Sequence, residues 1–169
     1  MEISINNGIN TITSGDLENM RLGIYDYNDA LTPVTPIALV GGEGYVALTN
    51  DGLGPFTNTT YSAAGVPNLW NAGTGLFDWS DLSLGDAVDL RLDISVTTAT
   101  RNTEFDVVLR LAIGGSSYDI PFETEKTYKA SGPHPLNVFN GVYMGDANTR
   151  DNGARFMIKS DKACTVNVA

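Results

Sequence analysis

Apolar and polar residues alternate strictly along the segment from Val88 to Val96. The apolar residues occupy the even positions and the polar residues occupy the odd positions. A period of two is typical of a β-strand with one buried and one solvated face, since a helix would scatter the same apolar residues around its circumference. The alternation therefore predicts a strand over this segment.

The same alternation of apolar and polar residues recurs in the second half of the chain. Residues 105–113 carry apolar side chains at every odd position and follow the first strand after a short polar linker. Two such strands predict an antiparallel pair. Further strands are predicted at 136–144, with a bulge at Asn140-Gly141, at 154–159 and at 165–168. A short strand is also predicted at 117–122, closed by Pro121 because proline suits a strand end.

The first half of the chain is less regular. Short strands are predicted at 21–25 and 45–48, and residues 1–20 are expected to form a short N-terminal arm or strand. Residues 49–78 are rich in Gly, Asn, Thr and Pro, and an irregular segment of this length usually serves a function or an interface. About eight to ten strands without a convincing amphipathic helix predict one all-β domain over 1–169, a β-sandwich or jelly roll.

Charge limits the partners that the chain can bind. The formal net charge is -10 and the isoelectric point is about 4.3. Such a surface repels phosphate backbones and anionic lipid headgroups, so neither nucleic acid nor a membrane is an expected partner. A basic patch on a partner protein fits better. No apolar run approaches the ~20 residues that span a bilayer, and no leader pattern precedes the first strand, so we expect a soluble protein made in a cytosol.

Catalysis has few candidate residues. The chain holds one cysteine, Cys164, and one histidine, His134, which stands between two prolines. One cysteine excludes an internal disulfide, and the pair is too small a set for zinc. Cys164 lies in a strand-like context and is interpreted as a small buried hydrophobe rather than a nucleophile.

The acidic residues are better explained without chemistry. The segment 146–153 has oxygen ligands at alternate positions, but Arg150 stands where a calcium ligand would be needed, so a solvated turn is predicted. Asp89 and Asp93 flank Arg91 on the wet face of one strand, which indicates a charge-laced surface rather than a glycosidase pair. We therefore expect no catalytic residue, no metal and no cofactor, and a protein that is not an enzyme.

Two groups of side chains are candidates for contacts. The outward face of 105–113 includes Val108 and Ala112, and the strand 154–159 includes Phe156 and Ile158; these four are predicted to contact sister copies of the chain. The aromatic residues of the irregular segment have two interpretations. In the favoured interpretation they are buried, and they anchor the segment to the sheet or fill an interface. In the alternative they are exposed and stack on sugar rings, and the candidate glycan contacts are then Tyr61, Trp70 and Trp79.

The segment 77–93 carries a family resemblance. Its Leu-Gly-Asp triplet at 84–86, leading into a long alternating strand, resembles a pattern of trimeric jelly rolls. Segments 49–58 and 142–146 resemble parts of small virion proteins of tailed phages. The resemblance runs over 38–158 and implies a tumour-necrosis-factor-like jelly roll, usually a homotrimer.

That resemblance implies a role in a virus particle. The expected function is a bacteriophage capsid decoration or cement protein that binds the shell as a trimer, with itself and the major capsid protein, or another virion protein, as partners. It would be made in the host cytoplasm and reside in the virion. The alternative is a receptor-binding tail-fibre knob that binds host cell-surface glycan. The short arm at 1–20 favours the decoration role, since fibre proteins carry a long shaft before the globular tip.

Overall fold

Two β-sheets built around one core make up the structure, a computed structural model that describes residues 24–27, 29–50, 69–128 and 131–168. Sheet I contains five strands, β1 (Ile24–Tyr27), β2 (Ile37–Leu39), β6 (Ala87–Thr98), β9 (Pro133–Tyr143) and β11 (Cys164–Val168). Sheet II contains six, β3 (Val46–Ala47), β4 (Trp70–Asn71), β5 (Leu76–Phe77), β7 (Thr103–Ile113), β8 (Tyr118–Thr127) and β10 (Gly153–Ser160). The prediction of an all-β sandwich is confirmed.

Strand β6 is the centre of sheet I. It pairs antiparallel with β9 along one edge, and its other edge is shared between β11, which is antiparallel, and β1, which is parallel. Strand β2 adds to the far side of β11. The even positions from Val88 to Thr98 are all buried, as the alternation predicted. The strand predicted at 88–96 is thus confirmed and extends by a residue or two at each end.

Sheet II has β10 and β7 at its centre. Strand β10 pairs with β7 on one edge and with β3 and β5 on the other, while β8 pairs with the far edge of β7 and β4 with β5. The strand predicted at 105–113 is confirmed as β7. Its predicted pairing with β6 is wrong, because the linker carries the chain from sheet I to sheet II and each strand finds its partners in its own sheet.

Two strand details depart from the sequence interpretation. Strand β8 does not close at Pro121 but continues to Thr127, with a register shift opposite Val107 and Val108. Proline is tolerated there because β8 lies at the edge of sheet II, next to the register shift in its pairing with β7. In β9 the register with β6 runs without interruption through Asn140 and Gly141, so the bulge predicted there is wrong.

The core fills the space between the sheets. Apolar side chains of β6, β9 and β11 meet those of β7 and β10, and an aromatic group from the segment before β6 joins them. Phe77 lies at its centre, with its ring centroid 5.4 Å from Trp70, 5.8 Å from Trp79 and 5.9 Å from Phe156. Edge-to-face and offset arrangements at these separations are favourable aromatic contacts. They attach β4 and β5 to the sandwich.

Candidate functional surface

The outer side of β6 and β9 is the most distinctive surface among the described residues. We call it the β6–β9 face. It is formed by the outward positions of the two paired strands, which are Ala87, Asp89, Arg91, Asp93, Ser95 and Thr97 on β6 and Pro133, Pro135, Asn137, Phe139, Gly141 and Tyr143 on β9. Apart from His134 and Asn140, the inward positions of the two strands are buried, so this face is the wet side that the alternation of β6 predicts.

Two aromatic rings stand on this face without cover. Phe139 is 66% exposed and Tyr143 is 64% exposed. They are four positions apart on one strand, so their Cα atoms lie about 13 Å apart. Gly141 lies between them, and a Cβ atom there would be 3.2 Å from Oδ1 of Asp89 on the neighbouring strand. Because Gly141 has no side chain, the surface between the two rings is a shallow depression with the carboxylate of Asp89 beside it.

The charged groups next to the rings are nearly balanced. Arg91 is opposite Phe139 in the register, and its guanidinium lies 2.6 Å from Oδ2 of Asp93. Asp93 also accepts a hydrogen bond from the amide of Asn137 across the strand pair. Asp89 is the second carboxylate of the face. The face thus joins apolar rings to a small ordered polar group, in a chain that is otherwise strongly acidic.

Sequence reasoning missed both rings. The apolar residues of 136–144 on the core side were identified, but the opposite parity of the same strand, with Phe139 and Tyr143 on either side of Gly141, was not weighed. Two aromatic residues at solvent-facing positions were a sufficient signal, because large exposed apolar groups usually mark an interaction site when they are clustered.

The outer side of sheet II is closed by its own side chains. Arg110 binds Asp119 through two nitrogens at 2.8 and 2.9 Å, and Lys159 lies 3.0 Å from Asp106. The Arg110 guanidinium lowers the pKa of Asp119, and the hydrogen bond to Asp106 raises the pKa of Lys159. The ring of Tyr45 lies against both cations, at 5.7 Å from Arg110 Cζ and 4.7 Å from Lys159 Nζ.

The four residues predicted to contact sister copies do not form an accessible surface. Val108 is 4% exposed, and Ala112, Phe156 and Ile158 are 0% exposed. Phe156 and Ile158 lie on the core side of β10. This assignment is corrected, because side chains buried within one subunit offer no area to another.

Ala112 is buried because the strand bulges there. Gly153 pairs with Ile113 while Arg155 pairs with Arg110, so Leu111 and Ala112 together face one residue of β10. Ala112 adopts a φ of 55°, which is the left-handed conformation found in such bulges. The two-residue alternation is interrupted at this point, and a side chain expected to face solvent is buried.

The two tryptophans proposed for glycan contact are not on the surface, where a sugar could reach them. Trp79 is fully buried and Trp70 is 5% exposed, both within the core. This agrees with the favoured anchoring interpretation and leaves neither indole face accessible to a sugar ring. Tyr61 lies outside the described residues.

The segment considered for calcium is a helical turn. The helix α1 (Ala147–Asp151) begins after Asp146, whose carboxylate accepts a hydrogen bond from Thr149 N at 2.7 Å. That bond lowers the pKa of Asp146. Asn148 exchanges two hydrogen bonds of 3.1 Å with the backbone of Ser116 in the β7–β8 turn. These oxygen atoms thus organise two loops at one end of the sandwich.

Cys164 is buried, as predicted, and burial raises the pKa of its thiol. His134 has Nε2 3.5 Å from the hydroxyl of Thr98, and Thr98 is opposite Cys164 in the register of the next strand pair. The histidine and the cysteine are therefore two strands apart, which is roughly 10 Å. A raised pKa and this separation both oppose formation of a reactive thiolate.

The carboxylates in β6 and in the segment before it have local structural contacts. Asp78 accepts hydrogen bonds from the backbone and hydroxyl of Ser80, and Asp86 accepts one from Ser83 N. Asp93 binds Arg91 and Asn137 on the β6–β9 face. These interactions are typical of turn capping and surface pairing.

Comparison of the chain with known protein families, with curated proteins and with solved structures found no match. Within the described ranges, the longest helix is a single turn, and no helix has the length and apolar character needed to cross a membrane.

Proposed function

We propose that the protein is a structural component of a bacteriophage particle, a capsid decoration or cement protein that adopts a jelly roll and binds the shell as a homotrimer. In this proposal it has no catalytic role. Its partners are other copies of itself and the major capsid protein or another virion protein.

The observation that carries the proposal is the nested pairing of eight strands. Taken in chain order without β1, β4 and β5, the first strand pairs with the last, β2 with β11, and the second pairs with the second last, β3 with β10. The third pairs with the sixth, β6 with β9, and the fourth with the fifth, β7 with β8. All four pairs are antiparallel.

Nested antiparallel pairs describe one long double-stranded ribbon. Such a ribbon becomes two sheets when it is wound so that its pairs alternate between layers. The pairs β2·β11 and β6·β9 join in sheet I through β11 and β6, and the pairs β3·β10 and β7·β8 join in sheet II through β10 and β7. An eight-stranded double sheet of this kind is the plan of jelly rolls, which include viral capsid and lectin domains.

Fold by itself does not decide function, so two further observations are used. The sequence resemblance over 38–158 is to virion proteins of tailed phages. The net charge of -10 fits a partner with a basic surface and opposes direct binding to packaged nucleic acid. A decoration protein needs complementary area on its partner and no cofactor.

The test uses the purified chain and shells of the phage that encodes it, prepared without the protein. The expected result is saturable binding with a fixed number of copies per shell, a higher temperature of shell disruption, and added density at one type of symmetry position by cryo-electron microscopy. Binding should weaken with added salt, because charge complementarity is screened over about 10 Å at 0.1 M ionic strength. Absence of the protein from mature particles by mass spectrometry would overturn the proposal.

A second candidate is a receptor-binding knob that recognises host glycan. The exposed rings of Phe139 and Tyr143, with Asp89 between them, are the observation in its favour, since aromatic faces combined with a hydrogen-bonding carboxylate suit a sugar. A glycan array and a host adsorption assay with the purified protein separate the two candidates. Specific glycan binding that is lost in Tyr143→Ser, together with inhibition of adsorption, would favour the knob.

A further inference from the structure

We infer that the β6–β9 face is the surface through which one copy of this chain contacts another. The inference rests on the proposed function for the number of copies, three, and it identifies the residues of the contact. These contact residues replace the four expected from the sequence, because Val108, Ala112, Phe156 and Ile158 are buried in the sandwich.

The first argument is the unusual apolar character of the face. Phe139 and Tyr143 expose about two-thirds of their surface, and Pro133 and Pro135 on the same strand are also exposed. Aromatic residues are enriched at the cores of protein interfaces, and they contribute most of the binding energy when water is removed around them. The corresponding outer side of sheet II is occupied by its own ion pairs and by Tyr45.

The second argument is electrostatic and selects a sister copy as the occupant. Two chains of charge -10 repel each other, and the repulsion is smallest where the local charge is nearly balanced. The β6–β9 face carries two carboxylates and one guanidinium, so it approaches another copy of the chain at little electrostatic cost.

The third argument is size. The β6·β9 ladder has 11 residue pairs, and the adjoining row formed by β1 and β11 makes the sheet three strands wide here. At about 3.4 Å per residue and 4.8 Å per strand, the flat area is roughly 500 Å². Side-chain relief adds to this, so the face approaches the ~800 Å² per partner of a standard interface.

The test compares two tyrosines of similar exposure. Tyr143 lies on the face, whereas Tyr128 is 76% exposed after the end of β8, off the face. Wild type, Tyr143→Ser, Phe139→Ser and the control Tyr128→Ser are each measured by light scattering after size exclusion and by sedimentation velocity over a concentration series. Far-ultraviolet circular dichroism and a cooperative unfolding transition check that each variant is folded.

We expect the wild type to be trimeric, and each face variant to dissociate at a concentration at least tenfold higher, with the control unchanged. A monomeric wild type at 100 µM would overturn the inference, as would face variants that associate like the control. If one face variant fails to fold, the other still decides the outcome.

Shell binding is measured separately on the same proteins. Trimers that dissociate in the face variants but never bind shells would support this interface and count against the decoration role. Shell binding by a chain that remains monomeric would support the decoration role and count against this interface. Glycan binding that competes with Phe139 and Tyr143 in a monomeric wild type would assign the face to sugar and overturn the inference.

Discussion

Gly41 occupies a position where the fold has no room for a side chain. It follows β2 with a φ of 91°, a conformation that L-residues rarely adopt. A Cβ atom at this position would lie 2.5 Å from the carbonyl carbon of Lys162 and 2.6 Å from the nitrogen of Ala163. Both atoms belong to the backbone of the turn between β10 and β11, so neither can rotate away. Gly41→Ala must therefore move one of the two chain segments.

The size of the effect follows from two contributions. The positive φ costs an L-residue roughly 1–2 kcal/mol. Overpacking against a fixed backbone adds typically about 1–3 kcal/mol. We expect Gly41→Ala to lower the free energy of unfolding by about 2–5 kcal/mol, a large part of the 5–15 kcal/mol typical of a domain.

The neighbouring glycine separates the two contributions. Gly42 has a φ of 70°, but a Cβ atom there would meet no other atom within 4 Å. Gly42→Ala should therefore lose only the conformational part, about 1–2 kcal/mol. The assay is urea unfolding of both variants and the wild type at one protein concentration, analysed by linear extrapolation. Equal losses in the two variants would refute the claim that the close approach to Lys162 and Ala163 restricts this position.

Three further predictions concern other parts of the sandwich. Because Arg110 lowers the pKa of Asp119, the pair stabilises the fold above the ordinary aspartate pKa, and this stabilisation is lost as pH falls through the lower pKa of the folded state. Both side chains are about a third exposed, so Asp119→Asn should cost no more than about 1 kcal/mol at neutral pH and nothing near pH 2; a constant difference across pH would contradict this. Ala112→Val should lose about 2–4 kcal/mol in denaturant unfolding, because a branched side chain is strained at a φ of 55° in a filled site, whereas Ala112→Gly should stay within about 1 kcal/mol of the wild type. Cys164 should react with a thiol reagent roughly tenfold or more slowly in the native protein than in the unfolded protein, and equal rates would mean that the thiol is not buried.

The strands were predictable where one face is buried and the other is wet. In β6 every inward residue from Val88 to Val96 is apolar and every outward residue from Asp89 to Ser95 is polar, so the sequence alone indicates its orientation. Alternation is local, however, and it carries no information on which strand lies beside which. The polar linker after β6 is compatible with a hairpin turn and with a connection between two sheets. In the structure it connects sheet I to sheet II.

The candidate surface was harder to predict because alternation fails at irregular positions. Val108 was expected to be exposed by its parity, yet it is buried on the outer side of sheet II, close to the group formed by Arg110, Lys159 and Tyr45. Tyr45 is distant in sequence, so the local pattern of β7 does not indicate that its ring lies against Arg110 and Lys159. Ala112 was misassigned because it lies at a bulge, where the alternation is interrupted.

The β6–β9 face depends on the core beneath it. In a strand of period two, a shift of one residue between β6 and β9 would bring Phe139 and Tyr143 toward the core and turn Val138 and Val142 toward solvent. The burial of those two valines against the core therefore also sets the outward direction of the two rings. The nested pairing reinforces this, because β6 is also paired with β11, whose far edge is paired with β2 from the other end of the described chain. A surface whose positions are determined in this way by long-range pairing is ordered within one copy, and order of this kind favours the inferred contact because it reduces the entropy lost on association.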